Sequence, residues 1–322
     1  MTKLSRKKSP KKNFWRIIYF TLFTLVLFLF PAPNIYFQTV ADTGGLYLPQ
    51  NIKLPPPPAY PVMVGNPIPP VVTAQGVYIV DIPSKVVLYQ KNPDEEFLPA
   101  STTKIATVLV ALDHYRLDDV LKVNTVITDG SVMGLVHDEQ ITVESLLYGA
   151  LVESGNDAAY TLAENYPGGV SNFVDMMNKK AQELHLSHTH FANPIGFDDP
   201  PNYTTPSDLA KLAMAALHNK TFTKIIGIKN ITVSDVTYTY FHSLTNVNQL
   251  LGKIQGVAGV KTGYTQNAGE ILVSEVKKNG HSVLFVILKS DDRFGETTQL
   301  INWIFNNFGW KNIESVVPTG SS

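Results

Sequence analysis

Read for its alternation of apolar and polar positions, the chain shows two β-hairpins far apart. Gly76-Val-Tyr-Ile-Val-Asp81 and Lys85-Val-Val-Leu-Tyr89 are β-branched and aromatic runs on either side of Ile82-Pro83-Ser84, the composition of two strands around a turn. Ile271–Val276 and Ser282–Leu288 flank Lys277-Lys278-Asn279-Gly280-His281, and Asn-Gly is the strongest short hairpin signal. Between them the apolar period changes to that of a helix over residues 101–115, 143–152, 157–165, 170–186 and 206–217, the last with Thr205 placed as its N-cap. Residues 256–260 read as the entry to a further strand, and the string Tyr238, Tyr240 and Phe241 as a strand against the core. A final amphipathic helix, Gly295–Phe308, lines up Leu300, Ile301, Ile304 and Phe305. Strands at both ends and helices between them predict an α/β (α+β) architecture: a central antiparallel sheet flanked by helices, plus a mostly helical lobe. No internal repeat is visible.

The start of the chain keeps to neither period. Basic residues crowd from Lys3 to Arg16, the run Ile17–Phe30 carries no charge, and Pro31 and Pro33 come directly after it. A positive flank stays on the cytoplasmic side, so the chain beyond the run is expected outside the cytoplasm. The run is shorter than the roughly 20 residues that span a bilayer, although Phe14, Trp15 and the segment to Phe37 lengthen it. The nearest small-x-small site, Thr39-Val40-Ala41, is well downstream, which favours an uncleaved membrane anchor over a secreted form. Pro55–Pro58, Pro61, Pro67, Pro69 and Pro70 suggest an extended spacer without helix or ladder, about 3.1 Å per residue where it is polyproline II. A leader lost on maturation is the alternative. The expected organisation is a basic cytoplasmic tail (1–13), a signal-anchor or signal peptide (14–37), a Pro-rich linker (38–72), a folded body (73–310) and a tail (311–322).

Composition narrows the partners. With 322 residues, 44% of them hydrophobic and 16% charged, the chain can bury one large core or two lobes around a cleft. The formal net charge of −1 conceals an asymmetry, because without the seven basic residues up to Arg16 there remain 19 basic against 27 acidic side chains. A body of that sign repels phosphate backbones, which speaks against nucleic acid as a partner. The absence of cysteine excludes disulfides, thiolate metal sites and a lipid-modified cysteine. His185, His188 and His190 cluster but lack the His-Glu-x-x-His spacing, so no metal and no cofactor is expected.

The chemistry begins at Ser101-Thr102-Thr103-Lys104, placed at a helix start where serine and lysine lie one turn apart on one face. Free N–H groups at such a terminus favour developing negative charge. The motif alone is weak, since Ser5 to Lys8, Ser9 to Lys12 and Ser274 to Lys277 repeat it in a basic tail and a predicted strand. Its other reading is a capping serine beside a solvated lysine. Ser154-Gly155-Asn156, between two predicted helices, and Lys261-Thr262-Gly263, on a predicted strand, each occur once. Singly they are an interhelical turn and a strand entry. In order, they form the set of penicillin-binding proteins and class A β-lactamases.

The resemblance extends further. Pro99-Ala-Ser-Thr-Thr-Lys104, Ser154-Gly-Asn-Asp-Ala158, Asn193-Pro-Ile-Gly196 and Lys261-Thr-Gly-Tyr-Thr265 with Ala268-Gly269 are similar to the D-alanyl-D-alanine carboxypeptidase family over roughly residues 73–308. It implies a β-lactamase/transpeptidase-like fold and a serine peptidase that removes the terminal D-alanine from peptidoglycan stem peptides ending in D-Ala-D-Ala. β-Lactams would be its covalent inhibitors. The catalytic residues implied are Ser101 as nucleophile, Lys104 as base, Ser154 as proton relay and Asn156 as a hold on the base or the substrate's carbonyl. Lys261, Thr262, Gly263 and Tyr264 would bind substrate, the first two gripping the terminal carboxylate, with Arg293 assisting; Arg293's other reading is a surface arginine paired with Asp291 or Asp292. Oxyanion donors would be the backbone N–H groups of Ser101 and Tyr264. Lys104 can act as base only when neutral, which an ordinary pKa of about 10.4 forbids at neutral pH. The charge on Lys261, with burial, is expected to lower it.

Two departures from the family stand out. Ile195 occupies a position where family members usually carry histidine, and the chain reaches Ser322 without the extra β-rich domain and membrane-binding tail of many relatives. The first lies in a structural loop; the second points to anchoring through the N-terminal segment. A β-lactamase is the nearest alternative, but the glutamate a class A enzyme carries about three dozen residues past Ser-x-Asn has no counterpart in His188-Thr-His-Phe-Ala-Asn193, and Glu183 lacks the local pattern. A D,D-endopeptidase would use the same constellation. A non-catalytic peptidoglycan- or β-lactam-sensing module would keep the cleft without turnover.

Overall fold

The computed structural model describes residues 11–29 and 59–312. The chain divides into two units, Met1–Pro56 and Pro57–Ser322. In the first, Lys11–Leu29 forms one helix, α1. Its charge-free part from Ile17 onward is about 20 Å long at 1.5 Å per residue, short of the roughly 30 Å hydrocarbon layer. Among the described residues no helix is long and apolar enough to cross a membrane. The site Thr39-Val40-Ala41, the rest of the expected span to residue 37, and residues 38–58 and 313–322 of the expected linker and tail lie outside the described residues.

The second unit is built on a five-stranded antiparallel sheet. β2 (Gly76–Asp81), β3 (Val87–Lys91), β8 (Val257–Thr265), β9 (Gly269–Lys278) and β10 (His281–Ser290) are ordered β3-β2-β10-β9-β8. Both expected hairpins are present. At the second, Asn279 and Gly280 take φ of 54° and 80°, as the two-residue turn of a tight hairpin requires. The central strand β10 is apolar on both faces. Leu284, Val286 and Leu288 join the larger core, while Val283, Phe285 and Ile287 join a second core on the opposite face. That second core is closed by the C-terminal helix α8 (Arg293–Asn307) through Leu300, Ile301 and Ile304.

The larger core belongs to the helical lobe. It comprises α2 (Lys104–His114), α3 (Val143–Tyr148), α4 (Asn156–Glu164), α5 (Gly169–Glu183), α6 (Pro206–Leu217) and α7 (Lys220–Ile226). Thr205 caps α6 by accepting from the Asp208 amide. Two short hairpins complete the lobe: β4 (Val120–Lys122) with β5 (Gln140–Thr142), and β6 (Asn230–Ser234) with β7 (Phe241–Thr245).

Several expectations change. Tyr60–Met63, inside the supposed spacer, is a strand, β1, paired with β11 (Phe308–Lys311). The folded body therefore begins before residue 73. A two-stranded ribbon tolerates Pro61 because an edge strand need not donate at every residue. The helix expected over 143–152 is α3 followed by a π-helical turn, Gly149–Glu153. Tyr238, Tyr240 and Phe241 face solvent, not the core. In β7 the inward positions go to His242 and Leu244, so the period of two turns Phe241 outward.

Candidate active site

Ser101 sits in a 3₁₀ turn, Ala100–Thr103, that leads into α2, rather than in the first turn of an α-helix. Ala100 before it is fully buried with φ of 45°, a left-handed conformation costly for a residue with a Cβ. The turn is wedged from two sides. A Cβ on Gly196, whose φ is +91°, would fall 1.9 Å from the Ala100 carbonyl oxygen, and one on Gly263 would come within 3.2 Å of Ala100 Cβ and the Pro99 carbonyl. Glycine at these two places lets the loop 193–196 and strand β8 close on the serine.

Lys104 is completely buried. Its Nζ donates to Ser101 Oγ at 3.0 Å, Asn156 Oδ1 at 2.7 Å and the Ile195 carbonyl at 2.8 Å. The last two groups can only accept there, so an uncharged amine gives them its two protons and turns its lone pair to the Ser101 hydroxyl. Burial, and after it the Lys261 charge, hold the Lys104 pKa well below the ordinary lysine value, against the pull of the Asp157 carboxylate. Both expected influences act, and burial is the larger.

Asn156 opens α4 and ties the site to the loop 129–135. Its amide N–H donates to the Ser131 carbonyl and its Nδ2 to the Asp129 carbonyl, both at 2.7 Å. Next to it, the Asp157 carboxylate accepts from the amides of Met133, Gly134 and Leu135 at 2.8–3.0 Å. Ser154 ends the π-helical turn with φ of 65°, which presents its hydroxyl to Lys261. Lys261 Nζ donates to Ser154 Oγ at 2.7 Å and to the Thr262 carbonyl at 3.0 Å. Burial first, and the Arg293 guanidinium second, bring Lys261 down to about 7. Its charge is therefore far easier to lose than that of an ordinary lysine.

Among the described residues β8 is the last strand of the sheet, which leaves its outer edge to pair with an extended ligand. Beside that edge is a cleft of about 330 Å³ lined by Ser101, Ser154, Asn156, Thr262, Gly263, Tyr264 and Arg293, together with Gly130, Ser131, Ile195–Phe197, Val247 and Thr265. Arg293 enters it from the first turn of α8, donating Nη1 to the Gly263 carbonyl at 2.8 Å, while its buried Nε has no partner among the described residues. It pairs with neither Asp291 nor Asp292, and Asp292 instead caps α8 at the Gly295 amide. The structure thus brings together every site residue expected from the sequence. Sequence reasoning missed Gly130, Ser131, Phe197 and Val247 in the wall, and the Ile195 carbonyl as a partner of Lys104. Asp129-Gly130-Ser131 carries a turn signal, but nothing local says that it faces Ser101. His188 lies near Glu96 and His190 Nδ1 near the Pro201 carbonyl, apart from the cleft residues. No cluster that could hold a metal occurs among the described residues.

Residues 63–292 match the family described as D-alanyl-D-alanine carboxypeptidase. The chain belongs to that family. It is 34% identical over 245 residues to the D-alanyl-D-alanine carboxypeptidase DacF of Bacillus subtilis, covering 73% of this chain and 63% of that one. The chain thus spans less than two thirds of DacF. It is 32% identical over 260 residues to a D-alanyl-D-alanine endopeptidase of Pseudomonas aeruginosa, covering 78% and 81% of the two chains. The fold of this family member matches the Streptomyces K15 DD-transpeptidase with a TM-score of 0.70 and 33% identity, covering 74% of this chain and 99% of that one. These likenesses bear out the mixed α/β, transpeptidase-like fold and the family expected from the motifs.

Proposed function

We propose that the chain is a serine-type D-Ala-D-Ala carboxypeptidase acting on peptidoglycan stem peptides. The observation that carries this reading is the acceptor set of Lys104, which leaves only Ser101 to interact with a neutral amine. Ser101 Oγ gives its proton to Lys104 and attacks the carbonyl carbon of the penultimate D-alanine. Backbone N–H groups of Ser101 and Tyr264 receive the oxyanion. The C–N bond breaks as the leaving amine takes the proton back from Lys104 through Ser154, and free D-alanine departs. Water, deprotonated by Lys104, then attacks the acyl carbon, and as the ester C–O bond breaks Lys104 returns the proton to Ser101 Oγ. Lys261, Thr262 and Arg293 grip the terminal carboxylate, whose charge restores that of Lys261. A β-lactam enters the first half of this scheme and stays on Ser101 as the acyl group.

The basic flank from Lys3 to Arg16 and the charge-free run behind it support a body held outside the cytoplasmic membrane by an uncleaved N-terminal segment. Edman sequencing of the membrane-associated protein tests this: a start downstream of Ala41 would refute the anchor. For the chemistry, D-alanine release from a stem pentapeptide and labelling by a fluorescent penicillin are expected in the wild type. Both should vanish in Ser101→Ala, with release lowered by on the order of 10³-fold or more. An active Ser101→Ala protein would overturn the assignment. Release of D-alanine from monomeric pentapeptide much faster than cleavage of cross-linked dimers distinguishes a carboxypeptidase from an endopeptidase.

A further inference from the structure

Behind the wall that carries Gly130 and Ser131 lies a buried polar pair that the reaction scheme leaves unused. His242 turns inward from β7, with only 6% of its side chain exposed, and the Glu139 side chain facing it is fully buried. His242 Nε2 is 2.7 Å from Glu139 Oε1 and Nδ1 is 3.1 Å from the Met133 carbonyl oxygen. The second carboxylate oxygen of Glu139 accepts from the Val136 amide at 3.0 Å. A carbonyl only accepts, so Nδ1 carries a proton, and Nε2 shares a proton with the Glu139 side chain. The arrangement favours the imidazolium. The Glu139 hydrogen bond raises its pKa against the burial that lowers it, with further help from the Met133 carbonyl and the Asp157 carboxylate.

The placement of this pair is what matters. Met133 is held at both of its backbone polar groups by buried side chains, its amide by Asp157 and its carbonyl by His242. Two residues away, the Ser131 carbonyl receives the Asn156 amide, and the Asn156 side chain fixes Lys104. A buried ion pair is a weak source of stability compared with apolar packing of similar volume, and its best-attested use is to specify one geometry.

We propose that His242, through its Nδ1 hydrogen bond to the Met133 carbonyl, is a positioning residue for acylation: it fixes the wall 129–135 against which Asn156, and through it Lys104, is set. The proposal rests on the reading of Ser101 as nucleophile and Lys104 as base. Loosening the wall disturbs proton transfer, while the carboxylate grip of Lys261, Thr262 and Arg293 is on the sheet side of the cleft and is spared. The signature is a fall in kcat and in the rate constant for acylation by penicillin, at nearly unchanged KM for peptide.

Two substitutions in the full chain separate positioning from simple stabilisation. In His242→Asn the carboxamide nitrogen replaces Nδ1 and keeps the Met133 contact but abandons Glu139. In His242→Gln it replaces Nε2, keeps Glu139 and abandons Met133. Acylation by a fluorescent penicillin, with active protein counted by end-point labelling, is expected within about threefold of wild type for His242→Asn and slower by roughly tenfold or more for His242→Gln. Melting temperature should run in the opposite order, because the asparagine variant leaves Glu139 buried without its partner. Amide hydrogen exchange at Met133–Leu135 should quicken in His242→Gln alone. Equal acylation rates per active molecule in the two variants, or a rate order that tracks the melting order, would overturn the proposal. A wild type that never reacts with penicillin would instead sink the Ser101 reading, and the exchange measurement would still decide whether His242 holds the wall.

Discussion

On the helical side of the cleft Lys104 faces three acceptors, Ser101 Oγ, Asn156 Oδ1 and the Ile195 carbonyl, and is cut off from solvent. On the sheet side Lys261 is nearly as buried, yet it has two partners among the described residues, Ser154 Oγ and the Thr262 carbonyl. In the proposed scheme the same residue type thus answers two different needs. Losing its proton gives Lys104 a lone pair that meets a hydroxyl. Lys261, brought to about 7 by burial and by Arg293, keeps a donor unspent when charged, and the charge that burial makes easy to lose is the one a carboxylate would return. A base must be neutral before substrate reacts; a carboxylate clamp must be charged after substrate binds. Burial serves both, because it makes each charge conditional on its partner.

The largest effect expected from this contrast is on the base. Lys104→Met keeps the apolar stem and removes the amine, and acylation by penicillin should fall by on the order of 10³-fold. A reduction below tenfold, measured as the acylation rate constant per folded molecule, would mean that Lys104 is not the proton acceptor. Lys261→Met should act more selectively. For peptides with a free terminal carboxylate kcat/KM should drop about 10²-fold, the cost of leaving one charge of a buried pair unmatched. An ester or amide analogue without that carboxylate should lose far less. The pH profile carries its own signature. Without the neighbouring cation the ammonium form of Lys104 is penalised less, its pKa rises, and the ascending limb of acylation moves to higher pH. In the wild type, kcat/KM for a carboxylate peptide should decline above about pH 7 as Lys261 loses its charge, and the carboxylate-free analogue should show no such decline. Profiles of the same shape for both substrates would erase the division of labour between the two lysines.

A smaller effect falls to Arg293, which is less deeply placed and shares its guanidinium with the Gly263 carbonyl. Arg293→Leu should raise KM for carboxylate peptides about tenfold, the worth of a charge-assisted hydrogen bond. The Arg293 charge also depresses Lys261. Its loss should therefore raise the Lys261 pKa and carry the descending limb of kcat/KM to higher pH. Weaker binding together with a wider pH range is an unusual combination, and steady-state kinetics across pH would reveal it. A Lys261 limb that stays in place would show that the two cations do not sense each other.

The motifs were legible because their residues act through side chains at short, fixed spacing. Ser101 and Lys104 meet across one turn, and Lys261 to Tyr264 alternate along one strand. The hairpin at Asn279-Gly280 was legible for a similar reason, since that turn demands positive φ. What escaped was either non-local or carried by backbone. The Ile195 and Ser131 carbonyls could belong to any loop, and only the fold sets them against Lys104 and Asn156. The β6–β7 hairpin was missed because its turn, Asp235–Tyr240, is closed by Asp235 accepting from Thr237, Thr239 and Tyr240 amides, without glycine or proline. Its inward residue His242 also reads as polar, so the string Tyr238, Tyr240 and Phe241 looked like the core face. For Arg293 the adjacent aspartates offered a false partner, and the helix start that spends Asp292 as a cap released it to the cleft.

The smallest effect expected is at Ile195, and it separates backbone chemistry from side-chain chemistry on the helical wall. The family pattern that the motifs resemble usually has histidine there, which invites the idea of a missing proton carrier. In this chain the contact with Lys104 is made by the carbonyl oxygen, while the isoleucine side chain is buried in the larger core. The tight approach of Gly196 to Ala100 fixes that carbonyl whatever side chain precedes it. Ile195→His should therefore leave the acylation rate constant unchanged. It should lower stability by about 1–2 kcal/mol, because an imidazole fitted to an isoleucine site is not assured of hydrogen-bond partners. Thermal melting and penicillin acylation on the same sample check both halves. A gain in acylation would assign the side chain a chemical task that the geometry of this wall gives to the backbone alone.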